Sequence, residues 1–223
     1  MYNPFPVSFS KLSAYTSCPT KFLHLNVLKD VVGVQGDAAT HGVAVHEAIE
    51  KHLRDGEPIP DKFQKYAMML RYTTRKLTGT FYYEQQLCID KDLKPVSWTE
   101  PTGWYRGILD LVLIHPCGTK ATVIDWKTGR PKEDSTQLML FSGLVFAHYP
   151  SVTEVATHYV WLAYNTVTSK QYTRSDDVWA WVKTTSEELV NETQWLPNPS
   201  GLCKKHCEVH SCPHNGTYTD KKE

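Results

Sequence analysis

Two short apolar runs that each contain an aspartate constrain the fold of this chain more than any other feature. The runs are Ile108–Ile114, which contains Asp110, and Ala121–Trp126, which contains Asp125 and is followed directly by Lys127. Runs of this length and composition predict core strands. Burial of an ionised side chain in such a strand costs free energy unless an opposite charge or a metal ion compensates it. Because side chains alternate between the two faces of a strand, Asp125 and Lys127 share one face.

The two carboxylates and the ammonium converge on one small pocket if the two runs pair. Carboxylate pairs offer the hard oxygen ligands that Mg²⁺ and Mn²⁺ prefer, and a neighbouring lysine can position a water or stabilise developing negative charge. This combination suits hydrolysis of phosphodiester bonds. The alternative is structural: Asp110 begins a turn, and Asp125 and Lys127 form an ordinary ion pair at a strand end, since surface ion pairs are common and weak.

Length and composition limit the classes of protein to which the chain can belong. Its 223 residues suit one sizeable core, so we expect residues 1–223 to form a single domain. Lys plus Arg and Asp plus Glu both number 24, which argues against nucleic-acid binding by bulk charge but allows a local basic groove. No apolar run has the length of a membrane span, and the N-terminus lacks a signal-peptide pattern. We therefore expect a cytoplasmic protein with no membrane partner.

The order of the predicted elements is typical of an α/β domain with a mixed sheet. Helical spacing of apolar residues predicts helices, and aromatic or β-branched runs between turn residues predict strands. The predicted helices are Ser8–Leu28, Thr40–Leu53, Asp61–Leu77, Gln137–His148 and Asp176–Val190. The predicted strands are Thr80–Ile89, Trp104–Ile114, Thr122–Trp126, Val155–Ala163 and Thr166–Thr173.

Cysteines are concentrated near the end of the chain. Cys203, Cys207 and Cys212 form a C-x3-C-x4-C pattern that can wrap one metal centre, and Cys18 is the natural candidate for a fourth ligand. Four thiolates suit an iron–sulfur cluster, whereas zinc takes four sulfurs or a mixture with a nearby histidine. Either metal would be structural, because it would close a long stretch of chain and hold both termini on the core. The two remaining cysteines are expected to be ordinary buried or turn thiols.

Four motifs in this order resemble the RecB-like branch of the PD-(D/E)XK nucleases. The motifs are Gly42…His46, Gly107-Ile108-Leu109-Asp110, Asp125-Trp126-Lys127 and Gln137-Leu138. The resemblance covers about residues 8 to 212 and implies a single restriction-endonuclease-like domain, with a central mixed sheet flanked by helices. It also implies that the four cysteines hold a [4Fe–4S] cluster that ties the two termini together, as in CRISPR-associated exonucleases and helicase–nuclease subunits of this branch.

The resemblance further implies a role for each site residue. The implied ligands of Mg²⁺ or Mn²⁺ are Asp110, Asp125, the backbone carbonyl of Trp126 and His46. Lys127 would orient the attacking water, and Gln137 would hydrogen-bond near the lysine or the DNA backbone. Glu84 is assigned a supporting role only. The family often has a tyrosine four residues after the glutamine, and Phe141 occupies that position here.

The implied activity is a metal-dependent DNA exonuclease that acts on DNA ends or single strands. Strong sequence specificity is not expected, because no base-reading element is evident. A single-strand or flap endonuclease of the same fold is the close alternative, and a catalytically silent DNA-binding or assembly subunit is another. A zinc-dependent interaction or regulatory protein is a third alternative. A nuclease without an attached helicase resembles phage or CRISPR-type enzymes of DNA recombination, repair or replication.

Overall fold

The computed structural model describes residues 3–34 and 36–218, and the remainder of the predicted domain 1–223 lies outside the described residues. The described residues fall into two compact units. One consists of residues within Met1–Gln35 and Trp181–Glu223, and the other is Gly36–Ala180. No helix among the described residues is both long and apolar enough to cross a membrane.

Six strands form one mixed sheet in the unit Gly36–Ala180. The strands are β1 Thr80–Ile89, β2 Pro95–Val96, β3 Tyr105–Ile114, β4 Lys120–Lys127, β5 Glu154–Trp161 and β6 Thr166–Thr173. Their spatial order is β2-β1-β3-β4-β5-β6, with β4 and β5 parallel and every other neighbouring pair antiparallel. The predicted mixed α/β fold is confirmed. All five predicted strands are present with ends that differ by at most two residues, and only the two-residue β2 was not predicted.

Seven α-helices accompany the sheet in the described part of the chain. They are α1 Phe9–Ser17, α2 Pro19–Phe22, α3 Asp37–Asp55, α4 Ala67–Thr74, α5 Thr136–His148, α6 Ala180–Asn191 and α7 Cys203–His206. A π-helical stretch, Leu23–Leu28, continues α2, and a 3₁₀ helix, Asp61–Tyr66, precedes α4. The predicted helix Asp61–Leu77 is therefore two elements, and the predicted helix Asp176–Val190 begins later, at Ala180.

The prediction of one helix over Ser8–Leu28 is wrong, because the helix breaks at Cys18. Cys18 has extended backbone angles, φ −165° and ψ 102°, and Pro19 begins a new helix. A proline has no N–H to continue the hydrogen-bond ladder, and its ring disfavours helical angles in the residue before it. The break turns Cys18 out of the helix.

Aromatic stacking holds together the part of the first unit that surrounds this break. Phe22 stacks on Trp195 with ring planes 3° apart, and Tyr15 lies edge-on to both rings. The Tyr15 hydroxyl donates to Glu192 at 3.0 Å, and Thr20 donates to the Trp195 carbonyl at 2.5 Å. Such contacts fix α1 and α2 against the residues that follow α6, within the same unit.

One face of the sheet packs against α3, the 3₁₀ helix and α4. Trp126 is 2 % exposed and lies in this core, as the alternation of β4 predicts. The buried residues of this core are Val45, Ile49, Ile59, Phe63, Tyr66, Met69, Leu70, Leu111, Ile124, Trp126, Val160 and Leu162. Asp125 and Lys127 consequently project from the other face of β4.

Helix α5 connects β4 to its parallel neighbour β5 and is buried along most of its length. Gly107 allows it to approach closely, because a Cβ at this position would lie 3.0 Å from the Leu144 side chain and 3.1 Å from that of Phe141. Arg174 holds the far end of α5 and the residues that follow it. Its guanidinium donates to four main-chain carbonyls, those of Phe146, Tyr149, Pro150 and Val152. The start of α5, which carries Gln137, is thus set against the sheet.

Candidate metal and catalytic site

The β3–β4 ladder opens where the acidic residues lie. The last backbone pair is Leu111 with Ile124, and continuing this register places Asp110 opposite Asp125. Asp110 does not continue the ladder; its Oδ2 accepts a hydrogen bond from the Trp126 N–H at 2.7 Å. A side-chain carboxylate therefore takes the place of a strand partner, and the ladder ends in a polar pocket. The implied role of the Trp126 carbonyl as a metal ligand stays a prediction.

Glu84 extends the two aspartates into a row of three carboxylates across β1, β3 and β4. It lies opposite Asp110, because the residues on either side of it pair with the residues on either side of Asp110. Its φ of 46° is in the left-handed region, which costs a non-glycine residue on the order of 1 kcal/mol and recurs at functional sites. The sequence alone predicts only a supporting role for Glu84, since its position in the row depends on the register of β1 against β3.

His46, on α3, completes a group that could hold a metal ion. Its Nδ1 lies 3.3 Å from Asp110 Oδ2. The potential ligand atoms of His46, Glu84 and Asp110 all lie within 4.8 Å of one another. One imidazole and two carboxylates form a set that suits Mn²⁺ or Mg²⁺. A cleft of about 510 Å³ leads to this group between α3 and β1.

Protonation of His46 compensates for part of the negative charge of the neighbouring carboxylates. Burial alone would lower the pKa of His46, but the hydrogen bond and negative charge of Asp110 outweigh it and raise the pKa to about 9. Burial, together with the charge of Asp110, raises the pKa of Glu84 to about 7. At neutral pH, His46 therefore carries a proton that offsets the carboxylates, and a cation would replace that proton.

Asp125 is the most deeply buried acid of the site, with a side chain only 4 % exposed. Burial, and then the charge of Asp110, raise its pKa to about 7. Lys127 Nζ lies 2.7 Å from its Oδ2, and the charge and hydrogen bond of this ammonium only partly offset the effect of burial on the pKa of Asp125. The ion pair is buried, so it does not match the weak surface pair of the structural alternative.

Lys127 is held from two further directions. Its ammonium donates to Gln137 Oε1 at 3.0 Å, and the Tyr159 hydroxyl donates to the same oxygen at 3.4 Å. The ring of Tyr159 lies under the ammonium, 5.1 Å from Nζ to the ring centroid. Because two donors meet the carbonyl end of the Gln137 amide, its NH₂ group must point away from the lysine.

Tyr159 carries no signal in the sequence that marks it as a site residue. The parallel register of β4 and β5 places it beside Asp125, and burial raises the pKa of its hydroxyl far above the usual range. Phe141, by contrast, is 2 % exposed and packs in the core near Gly107. The hydroxyl beside Gln137 therefore comes from a strand instead of from the residue four positions further along α5.

The four cysteines singled out in the sequence line one small pocket of the first unit. The other lining residues are Thr20, Lys21, Pro197, Asn198, Pro199, Val209, His214 and Asn215. All four thiols are free and half-buried. The Ser200 N–H donates to Cys203 Sγ at 3.3 Å, and Lys21 Nζ lies 2.6 Å from Glu208 Oε2 beside the pocket. Of the other two cysteines, Cys88 is buried and Cys117 is exposed in a turn.

Comparisons with known proteins give a family and similar solved structures. A family model described as the PD-(D/E)XK nuclease superfamily matches residues 6–213. The crystal structure of a protein designated SSO0001 is similar, with a TM-score of 0.52 and 15% identity, over 96% of this chain and 88% of that chain. The structure of a "putative exonuclease" from Eubacterium rectale has a TM-score of 0.46 and 9% identity, over 82% and 78% of the two chains. No curated protein sequence gave a significant match.

Proposed function

The chain belongs to the PD-(D/E)XK nuclease superfamily, and we propose that it is a Mg²⁺- or Mn²⁺-dependent deoxyribonuclease that removes nucleotides from DNA ends or single strands. The observation that carries this proposal is the convergence of three carboxylates, an imidazole and an ammonium where the β3–β4 ladder opens. Buried, like-charged acids are costly, and perturbed groups of this kind cluster at functional sites.

The residues of the site divide into those that would hold a cation and those that act on the attacking water. His46, Glu84 and Asp110 would hold the cation, with Asp125 adjacent to them. When bound, the cation supplies Lewis-acid stabilisation of the phosphate oxygens. Lys127 is placed to orient the water and to offset negative charge that develops on the phosphate in the transition state.

Gln137 and Tyr159 support that role by fixing the ammonium. The Gln137 carbonyl oxygen accepts from both Lys127 and Tyr159, so the lysine cannot swing freely toward solvent. The exposed end of the Gln137 amide is then a donor suited to a DNA phosphate oxygen. A catalytically silent subunit has no need of this arrangement, and the presence of the whole set opposes that alternative.

Digestion of 5′- and 3′-labelled oligonucleotides with Mg²⁺ or Mn²⁺ tests activity and polarity together. We expect Lys127→Ala and Asp125→Ala each to lower the cleavage rate by at least about two orders of magnitude. Lys120→Ala is the matched control, since Lys120 is an exposed lysine on the same strand. Circular single strands separate an exonuclease, which leaves them intact, from an endonuclease, which opens them. Absence of cleavage of linear single and double strands by fully metallated wild-type protein would contradict the proposal.

We also propose that Cys18, Cys203, Cys207 and Cys212 hold a structural [4Fe–4S] cluster. All four line the same pocket. Ligation by four thiolates suits an iron–sulfur cluster, and structural zinc is the alternative.

Metal analysis of purified protein tests this second centre. We expect a brown protein with about four irons and four sulfides per chain, and loss of both iron and thermal stability in Cys18→Ala and Cys207→Ala. Cys117→Ala is the control, because Cys117 is exposed and lies outside the pocket. A colourless protein with stoichiometric zinc would favour the zinc alternative, and normal stability of both variants would refute a structural role.

A further inference from the structure

The segment between Asp61 and Glu84 is basic and contains no acidic residue. Residues 62–83 include five Lys or Arg residues and no Asp or Glu, in a chain whose basic and acidic totals are both 24. The five cations are Lys62, Lys65, Arg71, Arg75 and Lys76, and all are exposed. A local excess of this kind creates a positive potential that attracts phosphate groups, whatever the net charge of the protein.

The cations at the end of α4 are not neutralised by neighbouring acids. The ion pairs of the described residues involve other side chains, and none includes Arg71, Arg75 or Lys76. The Arg75 guanidinium lies 5.3 Å from the centroid of the Tyr72 ring, which is 62% exposed. An exposed aromatic ring beside free cations is the combination that single-stranded nucleic acids recognise.

A groove of about 410 Å³ lies between the end of α4 and the sheet, and we refer to it as the α4 groove. Its lining residues are Tyr72, Thr73, Arg75, Lys76, Leu77, Thr122, Ile124, His158, Val160, Val167 and Ser169. None of them is acidic. The volume is within the range of small-ligand sites, and a mixture of apolar and polar lining side chains suits a base.

The α4 groove is separate from the cleft that leads to the metal-binding group, because the two share no lining residue. Ile124 forms part of the groove floor, whereas the next residue, Asp125, projects from the other face of β4. The row Ile124, His158 and Ser169 crosses β4, β5 and β6 and makes the floor continuous. The groove is therefore lined by none of the residues that would hold the cation.

We propose that the α4 groove binds single-stranded nucleic acid, with an unpaired base on Tyr72 and phosphates on Arg75 and Lys76. Stacking of one base on an aromatic side chain contributes about 1 to 3 kcal/mol and is tolerant of sequence. A base in a duplex offers no free face for this contact. The groove extends the proposed function by holding a part of the strand that is not being cut, but binding there does not depend on cleavage.

Fluorescence anisotropy with a labelled single strand, measured in EDTA to prevent cleavage, tests the proposal. We expect Arg75→Glu combined with Lys76→Glu to weaken binding by at least about tenfold. The magnitude of the slope of log K against log salt should fall by about 1.4, the value for two lost phosphate contacts. The matched control is Lys94→Glu combined with Lys183→Glu, which changes the net charge equally at two other exposed lysines. Equal weakening by both pairs would overturn the assignment.

The stacking contact has its own test. Tyr72→Ala should weaken single-strand binding by about fivefold or more with an unchanged salt slope, because stacking releases no counterions. Binding of a hairpin-capped blunt duplex should not respond to this change. An unaltered single-strand affinity in Tyr72→Ala, or an equal loss for the duplex, would refute base stacking in the groove.

Hydrolysis of bis(p-nitrophenyl) phosphate separates this proposal from the proposed catalytic function. The compound reports on the catalytic site alone, so the groove variants should hydrolyse it at the wild-type rate. Normal strand binding with no hydrolysis by wild-type protein would refute the nuclease and leave the groove standing. Normal hydrolysis together with groove variants that bind DNA like wild type would refute the groove alone.

Discussion

Replacement of Asp125 by asparagine should stabilise the metal-free protein while it abolishes cleavage. Burial and the charge of Asp110 raise the pKa of Asp125 from its ordinary 3.8 to about 7. Ionisation of this carboxyl group therefore costs the folded protein on the order of 4 kcal/mol at pH 8, relative to the unfolded chain. The favourable pairing with Lys127 is already contained in that pKa, and the asparagine side chain resembles the protonated acid in size and polarity.

The sign and pH range of this effect follow from linkage. The folded state binds the Asp125 proton more tightly than the unfolded state, so the wild-type protein loses stability as pH rises from about 4 to about 7 and no further above that. Asparagine does not titrate. The stability gained by Asp125→Asn should therefore be small near pH 4, grow with pH and become constant above about pH 7.

Thermal unfolding in EDTA between pH 5 and pH 9, followed by tryptophan fluorescence, measures this gain. In a chain of this size, about 4 kcal/mol corresponds to a rise in Tm of about 10 °C at pH 8. Asp92→Asn, which changes an exposed aspartate, should leave Tm unchanged at every pH. A variant that is no more stable than wild type at pH 8, or a gain that does not vary with pH, would refute the reasoning.

Three further predictions concern the support of the site and of the fold. Tyr159→Phe keeps the ring under the lysine but removes the hydroxyl donor. In steady-state assays kcat should therefore fall by about fivefold with KM unchanged, which corresponds to the loss of about one hydrogen bond. An unchanged kcat would contradict this role. Mn²⁺ affinity measured by calorimetry should rise with pH by at least about tenfold between pH 6.5 and 8.5, because His46 and Glu84, with pKa values of about 9 and about 7, must lose protons to bind a cation. A pH-independent affinity would exclude them as ligands. The lysine in Arg174→Lys cannot reproduce the guanidinium fork that reaches four carbonyls. This change should lower the free energy of unfolding, measured with urea, by about 2 to 4 kcal/mol. Arg130→Lys, at an exposed arginine, should not change it measurably.

The strands, and the face of the sheet on which their side chains lie, could be predicted from the sequence because both depend on local periodicity. Alternation within Ala121–Trp126 was enough to put Asp125 and Lys127 on the face opposite Trp126, and the structure has this arrangement. The break at Cys18 was also accessible locally, since Pro19 disfavours a continuous helix. Apolar spacing on both sides of the proline nevertheless favoured one helix, and that prediction was wrong.

The set of residues that form the site is harder to predict from the sequence, because it depends on which residues the sheet places side by side. Glu84 joins the metal-binding group only through the antiparallel register of β1 and β3, and Tyr159 reaches Gln137 only through the parallel register of β4 and β5. The basic segment of α4 is visible in the sequence as charge, but its groove exists only once α4 lies over three strands.

Local sequence patterns are sufficient to predict the kinds of chemical group in this protein and the strand face on which each acid lies. Periodicity of two and the proline after Cys18 act over a few residues, so they can be read without knowledge of the rest of the chain. Which of these groups meet depends on the fold of the whole chain, as in the open β3–β4 ladder, the row of carboxylates and the cysteine pocket. These contacts join residues distant in sequence, and their register is set by the packing of the whole core.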